Sequence, residues 1–595
     1  MFPLSWPTGQ LGYACRVGSI WTLLVTLSLV LFTYERALIP VYGSGPTTYT
    51  LTSAVSFATL AATIFQLGGA SSAQALLFGG GLFAAAPLST YWVSVWTSRW
   101  SRPILGPIVT HLLVLVPMFS ALATIVMDLT AGMVSRPPSV GYRALGAVGC
   151  FVATTRLSPL WAPYLNNVSE TQVFLGVAAA MLNIWVLTFP VPRPPAPRKK
   201  KGSASPTSPF LRPALLVGLN AVLWKTRGLL TSPVLPHPLP KPYLHPSFPL
   251  LIHSSVQSIT GLIVVGEALP PPSYKGGPDT EMHSLRYLRA SHSLLGGTWM
   301  GYKVATLDDA PPMVDSFGTA LGDSIYGTFV LQEAARLVNN TARAGKWERA
   351  LIIGLGAGIS ATAFSRHGIE TTIVEIDPAV YDAARLYFGL PEHAPENLFL
   401  QDARTWAAQK RANIGVGKPE ALFDIVVHDC FSGGGVPEHI FTVEFWNDLR
   451  TAALHPEGVL VVNFAGTILS DSSRMISQTL KKSFDHCRAF HDSQGELKEE
   501  EYETELINLV FFCSSRELTF RSARYSDYLD SYLREHVLSS LPSREVPLEL
   551  LTGELEDRFI LTDAHNPLGK LQDALGHHHW TLMRQVLPDI FWETY

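Results

Sequence analysis

Three carboxylates stand where short apolar runs stop. Glu375 follows Thr371 to Val374, Asp402 comes just after Leu398 to Leu400, and Asp429 follows Phe423 to His428. Upstream, the apolar run Ala350 to Ile353 enters Gly354-Leu-Gly356-Ala-Gly358, and Glu375 lies 19 residues after Gly356. That spacing suits a nucleoside. Glycines let the backbone approach the ligand, and a carboxylate at the tip of the next strand can take two ribose hydroxyls. The alternative is a structural glycine turn in an ordinary α/β domain. It is disfavoured because the strand before the turn, the helix-compatible segment after it and the acid at the right distance all agree. Ligands of open α/β sheets sit beyond the carboxyl ends of the strands, so the three acids, at successive strand ends, line one crevice.

Holding those acids in place requires a Rossmann-like sheet. After the glycine turn the strand and helix patterns alternate, with further strands at Gly458 to Asn463 and at Leu506 to Phe512, the latter near the sheet edge. Ahead of the turn, His253 to Glu267 alternates and is rich in Val, Ile and Ser, as strands of a small sheet do. Leu285 to Lys303 reads as a hairpin, and Gly322 to Tyr326 opens an amphipathic helix running to about Asn339. The expected organisation is a helical bundle over 1–228, a proline-rich linker over 229–248, a small β region over 249–330 and the nucleotide-binding domain over 331–595.

The 595 residues suggest two or three domains, and a net charge of -4 offers no basic footprint for nucleic acid. Charge is scarce at the N-terminus, where residues 37–98 carry none. Val17 to Tyr34 is long enough to cross a bilayer. Further spans fit Leu51 to Leu67, Leu76 to Trp96, Pro103 to Met127, about Ala144 to Trp161 with Arg156 inside it, and Thr171 to Pro190. The basic cluster Arg198 to Lys201 then marks a cytoplasmic loop. Six spans put the N-terminus on the same side and the sequon Asn167-Val168-Ser169 outside. Pro213 to Trp224 offers twelve residues between Arg212 and Lys225, too few to cross, and reads as interfacial or re-entrant. The soluble half is therefore expected in the cytosol. Five scattered cysteines suggest neither disulfides nor zinc. His577 to His579 cannot share one helix face, so no metal is expected.

From about Pro249 to the C-terminus the chain resembles the spermidine/spermine synthase family, the polyamine aminopropyltransferases, in its membrane-fused form. The resemblance rests on ITGLIVVGE, DSIYGTFVLQE, LIIGLGAGIS, TTIVEIDP, QDA, VVHDCFSGGGVPEHIFTVEFW and the tail around Gly576 to Arg584. It implies a class I adenosyl-dependent transferase. Gly354, Gly356 and Gly358 would approach decarboxylated S-adenosylmethionine, Glu375 would hold the ribose, and Asp402 with Ala403 would read the adenine edge. Asp429 would accept the proton of the attacking amine or orient it. Tyr326, Gln257 and the position of Ser432 would line the amine pocket. A dimer is the family's common state.

Three family features are missing. An acid that pairs with the aminopropyl ammonium is replaced by Ala357, a second acid after the catalytic one by Ser432, and a histidine after the tyrosine by Gly327. The leading expectation is a membrane-anchored aminopropyltransferase acting on an amine such as putrescine. The alternatives are a methyltransferase using S-adenosylmethionine itself, or a non-catalytic nucleoside-binding membrane sensor. Small amine and membrane lipid are the expected partners.

Overall fold

The computed structural model describes the chain except for residues 1–9, 132, 134–139, 189–210, 272–273, 275–281, 305–306, 308–311, 340–345, 416–421, 432, 494 and 496. Two compact units divide it, residues 1–235 and 236–595.

The first unit is helical. Its helices at Gln10–Tyr42, Ser44–Leu67, Ser72–Ser98, Leu105–Ala131 and Glu170–Thr188 are long and apolar enough to cross a membrane by length and composition. Val140–Leu157 and Leu211–Leu230 add two more of 18 and 20 residues. Apolar side chains and small residues set the packing. Side chains at Gly79 and Gly80 would collide with Met181 and Leu182 of the neighbouring helix. Arg36 is neutralised by Glu170 at 2.6 Å and also donates to the carbonyls of Leu165 and Val168.

The segment read as too short to cross forms the full helix Leu211–Leu230. Its cations sit toward the two ends, where long side chains can carry their charge away from an apolar surface. Arg227 lies 3.8 Å over the Trp224 ring. At mid-helix, Asn220 and Asn183 exchange amide hydrogen bonds of 2.8 and 3.2 Å.

The second unit holds two sheets. The smaller contains β1 (Tyr243–Leu244), β2 (Leu250–Ser258), β3 (Gly261–Ala268), β4 (Leu285–Ala290), β5 (Ser293–Met300), β6 (Met313–Val314) and β7 (Ala320–Ser324). They are antiparallel in the order β1-β2-β3-β4-β5-β7-β6. The expected helix from Gly322 starts later. Residues 320–324 are instead β7, paired to β5 with Leu321 and Ser324 buried, and the helix covers only Gly327–Gln332 before a 3-10 turn at Glu333–Leu337.

The larger sheet comprises β8 (Arg349–Ile353), β9 (Glu370–Glu375), β10 (Leu398–Leu400), β11 (Phe423–His428), β12 (Leu454–Gly466), β13 (His486–His491), β14 (Ile507–Ser514) and β15 (Glu545–Val546). Its order is β10-β9-β8-β11-β12-β14-β13-β15. The first five strands are parallel, as in doubly wound folds, and β14 runs against β12. Both faces are covered by buried apolar clusters, which is why β8 and β11 read as continuous apolar runs. The strand expected near the edge is interior, because β13 and β15 continue the sheet beyond β14.

The cysteine expectation is overturned. Cys487 of β13 and Cys513 of β14 face each other in the antiparallel register with Cα atoms 4.2 Å apart, and they form a disulfide. A separation of 26 residues gives no hint of this; only the strand register brings the two thiols together.

Candidate active site

The turn after β8 is built by backbone constraints. Gly354, Gly356 and Gly358 have φ of 79, 54 and 74°, the left-handed region that other residues resist. A methyl group at Gly354 would run into the Asp429 carbonyl, and one at Gly356 into the Leu295 carbonyl of β5. The Ala357 N–H donates to Leu295 at 3.0 Å, so β5 seals one side of the turn. The helix Ile359–Arg366 then begins with no side chain capping its N-terminus. Such an end, beside glycines at the mouth of a sheet, can receive electron-rich ligand atoms.

Glu375 ends β9. One of its oxygens accepts the Leu355 N–H at 2.8 Å and the other the Asp377 N–H at 2.9 Å. Burial pushes its carboxyl up to about 7 against the pull of those donors. With the Ile376 N–H as a further donor, the carboxylate still has acceptor capacity for a ribose hydroxyl, so the residues fit an adenosyl group. Ile376, next in the chain, is 41% exposed and offers an apolar face where an adenine ring could rest; the sequence reading passed over it. Asp377 is structural, since it caps the helix Pro378–Tyr387 and accepts hydrogen bonds from Ser258 and Thr260.

Asp402 shares a 2.8 Å hydrogen bond with His439 and accepts the Thr405 N–H at 2.9 Å. Burial works against its charge, but these bonds hold its carboxyl below the usual range. Ala403 turns its side chain into the core beside Trp406, leaving only its backbone for a ligand edge.

Asp429 follows β11, and its N–H donates to Ile353 at 2.8 Å. Two neutral amides fix its carboxylate, Gln332 Nε2 at 2.6 Å and Asn463 Nδ2 at 2.9 Å. Burial raises its pKa, with the two amides opposing. Ser360 Oγ donates to Gln332 Oε1 at 2.5 Å, and Thr328 Oγ1 to Asn463 Oδ1 at 3.4 Å. The acid is thus held by residues from three other elements. Asn463 terminates the GVLVVN run, the one signal in the sequence that could have flagged it.

Tyr326 precedes the helix Gly327–Gln332, and its hydroxyl is buried without a hydrogen-bond partner among the described residues. Burial pushes the phenol above its ordinary range, and the carboxylate of Asp492 adds to this. Gln257, in β2 opposite Leu262, makes no hydrogen bond to Tyr326 or Asp429. The structure therefore does not join it to the acid. Ser432 lies outside the described residues. Among those described, no group of three metal-ligating side chains occurs.

Residues 335–491 match the family model described as the spermine/spermidine synthase domain. A polyamine aminopropyltransferase of Vibrio vulnificus is 36% identical over 145 residues, 24% of this chain and 45% of that one. A probable spermidine synthase of Corynebacterium glutamicum superposes with a TM-score of 0.32 at 17% identity, covering 50% of this chain and 96% of that one. The N-terminal histidine N-methyltransferase of Emericella nidulans is 30% identical over 590 residues, spanning 96% of both chains. With helical unit and transferase unit aligned end to end, the chain belongs to the family of that N-terminal histidine N-methyltransferase and is an S-adenosylmethionine-dependent transferase.

Proposed function

We propose that the protein transfers the methyl group of S-adenosylmethionine to a nitrogen of an N-terminal histidine. The observation that carries this reading is the alignment over 96% of both chains with a relative of that activity. It replaces the leading expectation of aminopropyl transfer. A second feature supports it. Ala357 is 1% exposed, and a Cβ on Gly296 of β5 would sit 2.8 Å from its own. Alanine at that position supplies no acid to pair with the ammonium of a decarboxylated donor.

In this reading Gly354, Gly356 and Glu375 hold the nucleoside. At neutral pH an imidazole is largely uncharged, whereas an α-amine is largely protonated. The ring nitrogen is therefore the available nucleophile. Asp429 accepts the hydrogen bond of one ring N–H, so the other nitrogen directs its lone pair at the methyl carbon. The N–CH3 bond forms as the S–CH3 bond breaks, the electron pair stays on sulfur, and the carboxylate faces the imidazolium produced. Mass spectrometry of a histidine-initiated peptide incubated with full-length protein and S-adenosylmethionine tests this. One added methyl on the ring is expected. No methylation, together with an aminopropylated product from decarboxylated donor and putrescine, would refute it.

We also propose that the first unit spans a membrane and, in place of the cytosolic side expected from six spans, that the transferase unit lies on the non-cytosolic side. The 20-residue helix Leu211–Leu230 is about 30 Å long, enough for a seventh crossing. Its Asn220–Asn183 pair satisfies both amides between helices, as an apolar surround requires. With the basic segment 192–201 cytosolic, that crossing puts the second unit on the side of Asn167, and disulfides persist in oxidising compartments. Glycans on both Asn167 and Asn339 are expected. An unmodified Asn339 in a protein glycosylated at Asn167 would overturn the sidedness.

A further inference from the structure

The sheet places a further acid at the edge occupied by Glu375 and Asp429. Because β14 runs against β12 and β13 runs against β14, β13 points the same way as the parallel strands. Its carboxyl end therefore opens on the same crevice, and Asp492 is the first residue beyond that end. The intervening strands carry polar groups to this edge, Asn463 on β12 and Asn508 on β14.

Asp492 is held by amide groups, with no ion pair to it among the described residues. Its N–H donates to the Asn508 carbonyl at 3.2 Å, and one carboxylate oxygen accepts Asn508 Nδ2 at 2.8 Å. Backbone N–H groups of Asn508 and of Asp492 itself add to that hold. Arg544 acts on it through its charge, while its hydrogen bonds go to the Ser493 carbonyl at 2.7 Å and Ser540 Oγ at 2.9 Å. Across the crevice mouth, Gly327 borders the Asp492 carbonyl, with 3.9 Å left to an added Cβ. The partnerless Tyr326 hydroxyl is near enough for the two groups to interact electrically. Asp429 and Asp492 are three strand positions apart, about 14 Å between backbones at ~4.8 Å per strand. Two aspartates reaching inward from that separation suit one acceptor with two nitrogen centres.

We infer that Asp492, with the Tyr326 hydroxyl beside it, binds the protonated α-amine of the acceptor while Asp429 faces the nitrogen that takes the methyl group. This rests on the proposed methylation of an N-terminal histidine. It assigns the acceptor's ammonium to a strand end that lies outside the glycine turn and the Asp429 loop.

The test compares a histidine-initiated peptide with its Nα-acetylated form, using full-length protein and S-adenosylmethionine. The unsubstituted protein should prefer the free amine by about 10- to 100-fold in kcat/KM, the range of one charge-assisted hydrogen bond. Asp492→Asn keeps the shape and can still accept from Asn508. It should raise KM for the free-amine peptide by that factor, erase the preference, and leave S-adenosylhomocysteine affinity unchanged by calorimetry. Asp492→Glu should restore part of the preference. Preference retained in a folded, donor-binding Asp492→Asn protein overturns the assignment of Asp492 alone. An unsubstituted protein that ignores the histidine peptide refutes the function reading instead. The Asp492 test then passes to calorimetry with putrescine, where Asp492→Asn must weaken binding at least about tenfold or the assignment falls.

Discussion

Replacing Asp429 by asparagine separates its chemistry from its structure. Both carboxylate oxygens are already bonded, at 2.6 Å to Gln332 and 2.9 Å to Asn463, and both partners are amide donors. An asparagine presents one oxygen and one NH2, so one donor must face another donor. Gln332 cannot reverse its amide freely, because its oxygen holds the Ser360 hydroxyl at 2.5 Å. The lost bond should cost about 1–3 kcal/mol of stability. The chemical loss should be larger. A positioned acid–base group contributes about 10²- to 10⁴-fold, or about 2.7–5.4 kcal/mol of barrier. Single-turnover rates with enzyme in excess of a limiting donor and acceptor saturating should therefore fall by that factor, while S-adenosylhomocysteine affinity measured by calorimetry changes less than threefold, on the order of 0.6 kcal/mol. A rate within tenfold of the unsubstituted protein would remove Asp429 from the chemistry. A parallel collapse of donor affinity would make it a structural cap of the loop.

Donor affinity should depend on Glu375. Ribose hydroxyls bond the ionised form, and its pKa of about 7 predicts affinity falling roughly tenfold per pH unit below that value; a flat calorimetric profile would contradict this, and Glu375→Gln should show one. In the unliganded protein the sign reverses. A carboxyl raised in the folded state favours folding at low pH, and that contribution is lost as pH rises through about 7. Gly354→Ala should lose donor binding and about 1–3 kcal/mol in denaturant titrations, since both φ and the Asp429 carbonyl oppose a side chain. Gly368→Ala, with φ 74° but open space around it, should show only the backbone cost and bind donor normally. The Cys487–Cys513 bridge closes a 26-residue separation and should contribute about 3–4 kcal/mol. Reductant should lower the stability of the unsubstituted protein but not that of the double serine variant.

The donor side was legible because it is local: one strand, one turn and one strand tip in sequence order encode Gly354, Gly356 and Glu375. The setting of Asp429 was not, because Gln332 and Asn463 arrive from separate elements and meet the acid only when the sheet order is known. The residue pattern suggested a helix from Gly322, yet pairing with β5 claims that stretch as a strand. The disulfide depends on a register that no spacing of cysteines reveals. In the first unit, counting residues between charges understated the last helix, whose cations lie within its ends rather than beyond them.

The hydrogen bonds behind Asp429 also bear on the order of events. Ser360 belongs to the first turn of the helix that leaves the glycine loop, and it reaches the acid through one glutamine. The glycine turn and the acid are thus joined by two hydrogen bonds, so a shift of that turn on donor binding is expected to reach the carboxylate. The expected kinetic consequence is an ordered sequence in which the donor enters first and its spent form leaves last. Its signature is S-adenosylhomocysteine inhibiting competitively against donor and non-competitively against acceptor.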